Sequence, residues 1–148
     1  METITANWFI CKIRYEKTMG DGLQKKVTET YVVDAVSFTE AEARIIEEMS
    51  AYISGEFEII EIDRAVFKEI FFMMQNTDTR WYKSKLQFIT IDEKTGKKHS
   101  NVYYLVEGCS LESARRNIDE VMGGTMIDYN IASLVETSII DVFVYNKK

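Results

Sequence analysis

The chain has 148 residues, 46% of them hydrophobic and 28% charged, and its 18 basic and 24 acidic side chains leave a formal net charge of -6. The length suits one ordinary domain or two very small ones, and the composition lies far from that of an intrinsically disordered chain. The negative charge argues against general coating of duplex DNA, which takes an overall positive field.

Residues 7–17, NWFICKIRYEK, open the ordered pattern. They alternate, so Phe9, Cys11, Ile13 and Tyr15 fall on one side of a strand and Trp8, Ile10, Lys12 and Arg14 on the other. The tip KTMGDG then connects to KVTETYVVDA, a second alternating run, which makes a long hairpin. Ser37 followed by Glu40 reads as a capping box, with Phe38, Ala41, Ile45, Met49 and Ile53 forming one apolar helical stripe and Gly55 ending the helix. EFEIIEI and AVFKEIFF are too short for helices and rich in strand-forming residues.

Sliding the chain along itself by about 73 residues superposes Trp8 on Trp81, Lys12 on Lys85, Tyr31 on Tyr104, Ser37 on Ser110 and Ile45 on Ile118 in one ungapped frame. The second copy begins RWYKSKLQF, turns at DEKTGKK, and continues through a helix capped by Ser110 with the stripe Leu111, Ala114, Ile118, Met122 and Met126. The pair Gly123 and Gly124 ends that helix, and NIASLVE and SIIDVFVY close the copy. The expected fold is therefore α+β: a tandem duplication of a ββαββ unit, antiparallel sheets with one helix per repeat packed on them, two-layered with pseudo-twofold symmetry. Residues 1–74 form the first repeat, 75–80 a linker and 81–148 the second. Across the linker the order also contains four strands followed by a helix, as in PUR and Whirly-type single-strand binders.

Tyr82, Ser84, Leu86 and Phe88 take the core side in the second copy, leaving Trp81, Lys83, Lys85 and Gln87 on the side equivalent to Trp8, Lys12 and Arg14. An indole beside cations suits single-stranded nucleic acid, because bases stack on aromatic faces while cations track phosphates. Lys25 and Lys26, with Lys97 and Lys98, extend this cationic track from the hairpin tips. The bland alternative packs Trp8 and Trp81 as anchors under lysine stems.

No catalytic constellation accompanies this pattern. The two cysteines, Cys11 and Cys109, have no CxxC spacing, and the single His99 lies in a polar tip, so neither a metal site nor a triad is expected. Cys109 is expected to be a small buried side chain. The acidic residues from Glu40 to Asp63 read as a solvated face, and GDG lacks the flanks of a phosphate loop. The protein is expected to be non-enzymatic, without cofactor, its partner single-stranded nucleic acid or a protein.

No stretch approaches the roughly 18 apolar residues of a membrane helix, and METITANWF lacks the regions of a secretory signal, so a cytoplasmic location is expected and no membrane partner. The segments NWFICKIRYEKTMGDGLQKKVTETYVVDAVSFTEAEARIIEEM, SGEFEI and IASLVETSIIDVF resemble a family of uncharacterised small proteins from Bacteroides-group bacteria and their phages or mobile elements. The run VDAVSFTEAEARI carries most of that resemblance. It implies a bacterial or phage origin and transfers no site residue.

Overall fold

The computed structural model describes residues 2–73 and 78–145, so positions 75–77 of the expected linker lie outside the described residues. The protein is α+β. A short strand β1 (Glu2–Thr5) precedes β2 (Trp8–Thr18), β3 (Gln24–Asp34), α1 (Phe38–Tyr52), β4 (Phe57–Arg64) and β5 (Glu69–Phe72). The remainder runs β6 (Arg80–Asp92), β7 (Gly96–Gly108), α2 (Leu111–Gly123), β8 (Asp128–Glu136) and β9 (Ile139–Phe143).

These elements make two sheets, one ordered β4-β2-β3-β9 and the other β1-β5-β7-β6-β8. Each is antiparallel apart from one parallel pair, β3 with β9 and β5 with β7. The compact units follow the sheets. The four-stranded unit comprises Ala6–Ala65 with Ser138–Lys148, and the five-stranded unit comprises Met1–Thr5 with Val66–Thr137. The expected division at 1–74 and 81–148 is therefore redrawn: the closing strand of each half joins the sheet built by the other half's hairpin. The ββββα order across the linker is present as β4, β5, β6, β7 and α2, but β4 belongs to a different sheet from β5, β6 and β7.

Local structure follows the residues. The tips turn through Gly22 and Gly96 at φ +84° and +85°, a conformation open to glycine at little cost. Glu40 N–H donates to Ser37 Oγ at 3.1 Å, while the Glu40 carboxylate accepts from Val36 N–H at 3.0 Å, one residue before the expected amide. At the second helix Ser113 N–H donates to Ser110 Oγ at 3.1 Å and Ser113 Oγ accepts from Cys109 N–H at 3.3 Å, so serine does the work of the glutamate.

Neither helix ends on a left-handed glycine: α1 is capped by extended Ile53, and Gly124 after α2 is right-handed. Gly108 has a different role. A Cβ there would stand 2.9 Å from the Ala114 amide nitrogen, so α2 approaches its strand more closely than a side chain permits.

Each helix lays Ala-Ile-Met on its sheet. Ala41, Ile45 and Met49 meet Phe9, Cys11, Ile13, Tyr31 and Val33, and Ala114, Ile118 and Met122 meet Phe71, Tyr82, Leu86, Tyr104 and Val106. Full burial of each large side chain contributes about 1.5–3 kcal/mol. Phe38, Leu111 and Met126, expected within the stripes, are exposed instead. Among the described residues, no helix is long and apolar enough to cross a membrane.

Candidate functional site

Both tryptophans are buried, Trp8 at 2% exposure and Trp81 at 3%. The expectation of wet indoles is thus corrected, and with it the idea that either ring stacks a base. Alternation correctly put them on the face away from the helix, but it cannot say whether that face is open. Trp81 packs edge-on against Phe72 at 5.5 Å, and the Trp8 indole nitrogen is buried without a hydrogen-bond partner. Cys109 is a second correction, since it is exposed and Cys11 is the buried cysteine, its thiol pushed up to about 12 by burial.

The remaining candidate cations do not form one track. Lys26 and Lys97 share the helix-distal face with Lys12, Arg14, Lys83 and Lys85 of their respective sheets, whereas Lys25 and Lys98 alternate to the helix-facing side.

In the four-stranded unit the cations of the helix-distal face are answered by acids. Lys12 stands opposite Glu61 on β4 and pairs with it at 3.0 Å, and Arg14 stands opposite Glu58. Ile10 faces Asp63, and Glu16 faces Lys26 across the hairpin. Hydrogen bonding from Lys12 holds the Glu61 carboxyl below its ordinary range, while sharing a proton with Glu61 holds Asp63 above its own. Among the described residues, Lys12 with Glu61 is the ion pair of this face, and Arg14 and Lys26 have acids opposite them in register.

The five-stranded unit replaces the acids. Opposite Lys83, Lys85 and Gln87 stand Val135, Ser133 and Asn130 on β8, the positions corresponding to Asp63, Glu61 and Glu58. Both edge strands carry a bulge beside this row, at Ala132 on β8 and Ile60 on β4. Across the hairpin Lys85 faces Tyr103 directly, and Lys83 reaches diagonally over the Tyr103 ring, 5.1 Å from its centroid. On the other flank Lys68 donates its amide to the Tyr103 carbonyl at 2.8 Å. Among the described residues none of Lys68, Lys83 and Lys85 forms an ion pair. Gln87, Asn101 and His99 continue the face toward the tip.

The sequence reading missed Tyr103 and Lys68. Tyr103 corresponds to Thr30 in the first half, so the repeat gave no hint of it. A usable signal was present: pairing DEKTG about its turn sets Lys85 opposite Tyr103. The other buried acids are satisfied structural groups. Glu29 accepts from Tyr31 Oη at 2.9 Å, and Asp34 accepts from Tyr145 N–H at 2.8 Å beside Arg44. Among the described residues no cluster of histidine, cysteine or carboxylate could hold a metal ion.

A family model described as a domain of unknown function, DUF4494, matches residues 7–145, and the chain belongs to that family. No curated relative and no solved structure matches it.

Proposed function

We propose that the protein is a non-enzymatic binding module that holds single-stranded nucleic acid on the helix-distal face of its five-stranded sheet, through Lys83 and Lys85 with Lys68 beside them and Lys97 farther along the same face toward the hairpin tip. The single observation that supports this is the loss of charge compensation on β8. Equivalent geometry carries acids in one sheet and Asn130, Ser133 and Val135 in the other, so Lys83 and Lys85 meet no acid on the strand beside them and can turn to a polyanion. Neighbouring Gln87, Asn101 and Ser133 add hydrogen-bonding groups suited to nucleotides. The setting is the cytoplasm of bacteria or their phages and mobile elements, and the scaffold is a tandemly duplicated ββαββ unit with pseudo-twofold symmetry.

A protein partner is the second reading, supported by a groove of 1140 Å³ between α2 and β8 that includes Leu111, Arg115, Ile131 and Leu134. The bulge at Ala132 weighs against it, because bulges twist an edge away from strand addition.

Fluorescence polarisation of a labelled oligonucleotide against salt tests the first reading. Binding should weaken with a log-log slope near -0.7 per phosphate neutralised. The double variant Asn130→Glu, Ser133→Glu, which restores the acids of the other sheet, should abolish it, while Lys12→Ala should leave it unchanged. Absence of binding at low salt would remove the proposal.

A further inference from the structure

We propose that Tyr103 is the residue by which this face tells unpaired bases from a bare phosphate backbone: the ring face now covered by Lys83 is the seat of one nucleobase. The inference rests on the reading above and adds the feature that cations alone cannot supply.

Tyr103 is half-buried at the centre of the uncompensated lysines, with Lys85 opposite, Lys83 over the ring and Lys68 on its other flank. An ammonium over a half-buried aromatic ring is held less strongly than one beside a phosphate, so the contact can be exchanged. When a phosphate approaches, Lys83 gains a stronger partner by leaving the ring, which frees an aromatic surface beside the same phosphate. Lys83 and Lys85 are two residues apart on one strand, about 6.8 Å along it. That spacing suits successive phosphates of an extended single strand, with the intervening base turned inward to the ring. In a duplex the base faces are occupied by their neighbours, so the ring has nothing to stack. The four-stranded sheet has Thr30 at this position and offers no ring.

The test uses the full chain with four probes: a single-stranded oligonucleotide, a strand of equal length made of abasic sites, a duplex, and polyglutamate. Normal single strand should bind tightest. Tyr103→Leu should weaken it by roughly tenfold to a hundredfold, leaving the abasic strand and the salt slope unchanged. Tyr103→Phe should bind like the wild type, since the ring and not the hydroxyl is required, and it controls for folding. Lys83→Gln should lower the salt slope by about 0.7 while retaining the preference for normal over abasic strand.

Equal binding of normal and abasic strands by the wild type would overturn the inference while leaving the cationic reading intact. So would an equal loss on both strands in Tyr103→Leu with Tyr103→Phe folded. Polyglutamate binding as tightly as the oligonucleotide would overturn it in favour of an acidic protein partner. If no probe binds in a salt-dependent way, the inference falls together with the reading beneath it.

Discussion

The two sheets use the same local devices to hold their closing strands, with different chemistry at one helix position. In the four-stranded unit Asp34 ends β3, accepts the Tyr145 amide at 2.8 Å, and meets the Arg44 guanidinium, which also pairs with Glu40 at 3.1 Å. In the five-stranded unit Glu107 occupies the corresponding place and accepts the Met73 amide at 2.8 Å, but its helix partner is Asn117, which donates to the Glu107 carbonyl at 2.9 Å. Asp34 is fully buried and Glu107 is half-exposed, so only the first requires a cation. One difference in burial thus decides between an ion pair and an amide. On the helix-distal faces, β4 sets Glu61 and Glu58 opposite Lys12 and Arg14, whereas β8 sets Val135 and Ser133 opposite Lys83 and Lys85.

Severing the chain is the harshest way to break the comparison. Because each hairpin's sheet takes its parallel strand from the other half, a fragment ending at Met73 and one beginning at Asp78 should each be unfolded alone and regain secondary structure on mixing, followed by circular dichroism. Either fragment folding by itself would show that the exchanged strand is dispensable. Next in size, Arg44→Ala removes the guanidinium from the buried pair with Asp34 and should cost about 3–5 kcal/mol in urea unfolding. Asn117→Ala, which removes one neutral hydrogen bond, should cost about 0.5–1.5 kcal/mol. Equal losses would mean that the two locks are equivalent after all.

A gain of binding would sharpen the comparison of the faces. Replacing Glu58 by Asn, Glu61 by Ser and Asp63 by Val transfers the β8 residues to β4 and uncovers Lys12 and Arg14. Oligonucleotide affinity should rise by a few-fold at low salt, with the gain vanishing as salt is raised. No gain would show that Tyr103 matters more than charge.

The smallest effect is alkaline. Burial pushes Tyr104 up to about 12, and burial with a bond to Asp119 does the same to Tyr129. Both groups hold their protons more firmly in the folded state, so their contribution to stability is complete below pH 10 and is lost as pH rises toward 12. Absorbance titration should find them un-ionised at pH 11 until the chain unfolds. Both tyrosines lie in the five-stranded unit, and either one titrating near its ordinary value would show that its environment is wetter than described.

Much of the scaffold was legible because its causes are local. Alternation in NWFICKIRY named Phe9, Cys11, Ile13 and Tyr15 as one face; Ser37 and Ser110 marked both helix starts; and the spacing of Ala41, Ile45 and Met49 identified the face that α1 buries. The candidate site was legible only in part. Lys83 and Lys85 were named from their strand face, but their significance depends on what stands opposite on β8, a strand more than forty residues away.

By itself, then, the sequence determined the order of elements from β2 onward, the hairpins, the helix N-caps and the two faces of each strand, because these depend on backbone geometry within a few residues; β1, whose place depends on pairing with distant β5, was not among them. Tertiary structure alone decided that β5 and β9 change sheets and pair in parallel, that Trp8 and Trp81 lie out of water, and that β4 sets acids opposite Lys12 and Arg14 while β8 sets none opposite Lys83 and Lys85. Periodicity distinguishes the sides of a strand. Which of them is covered, and by which charge it is answered, depends on partners that are distant in the chain and adjacent only after folding.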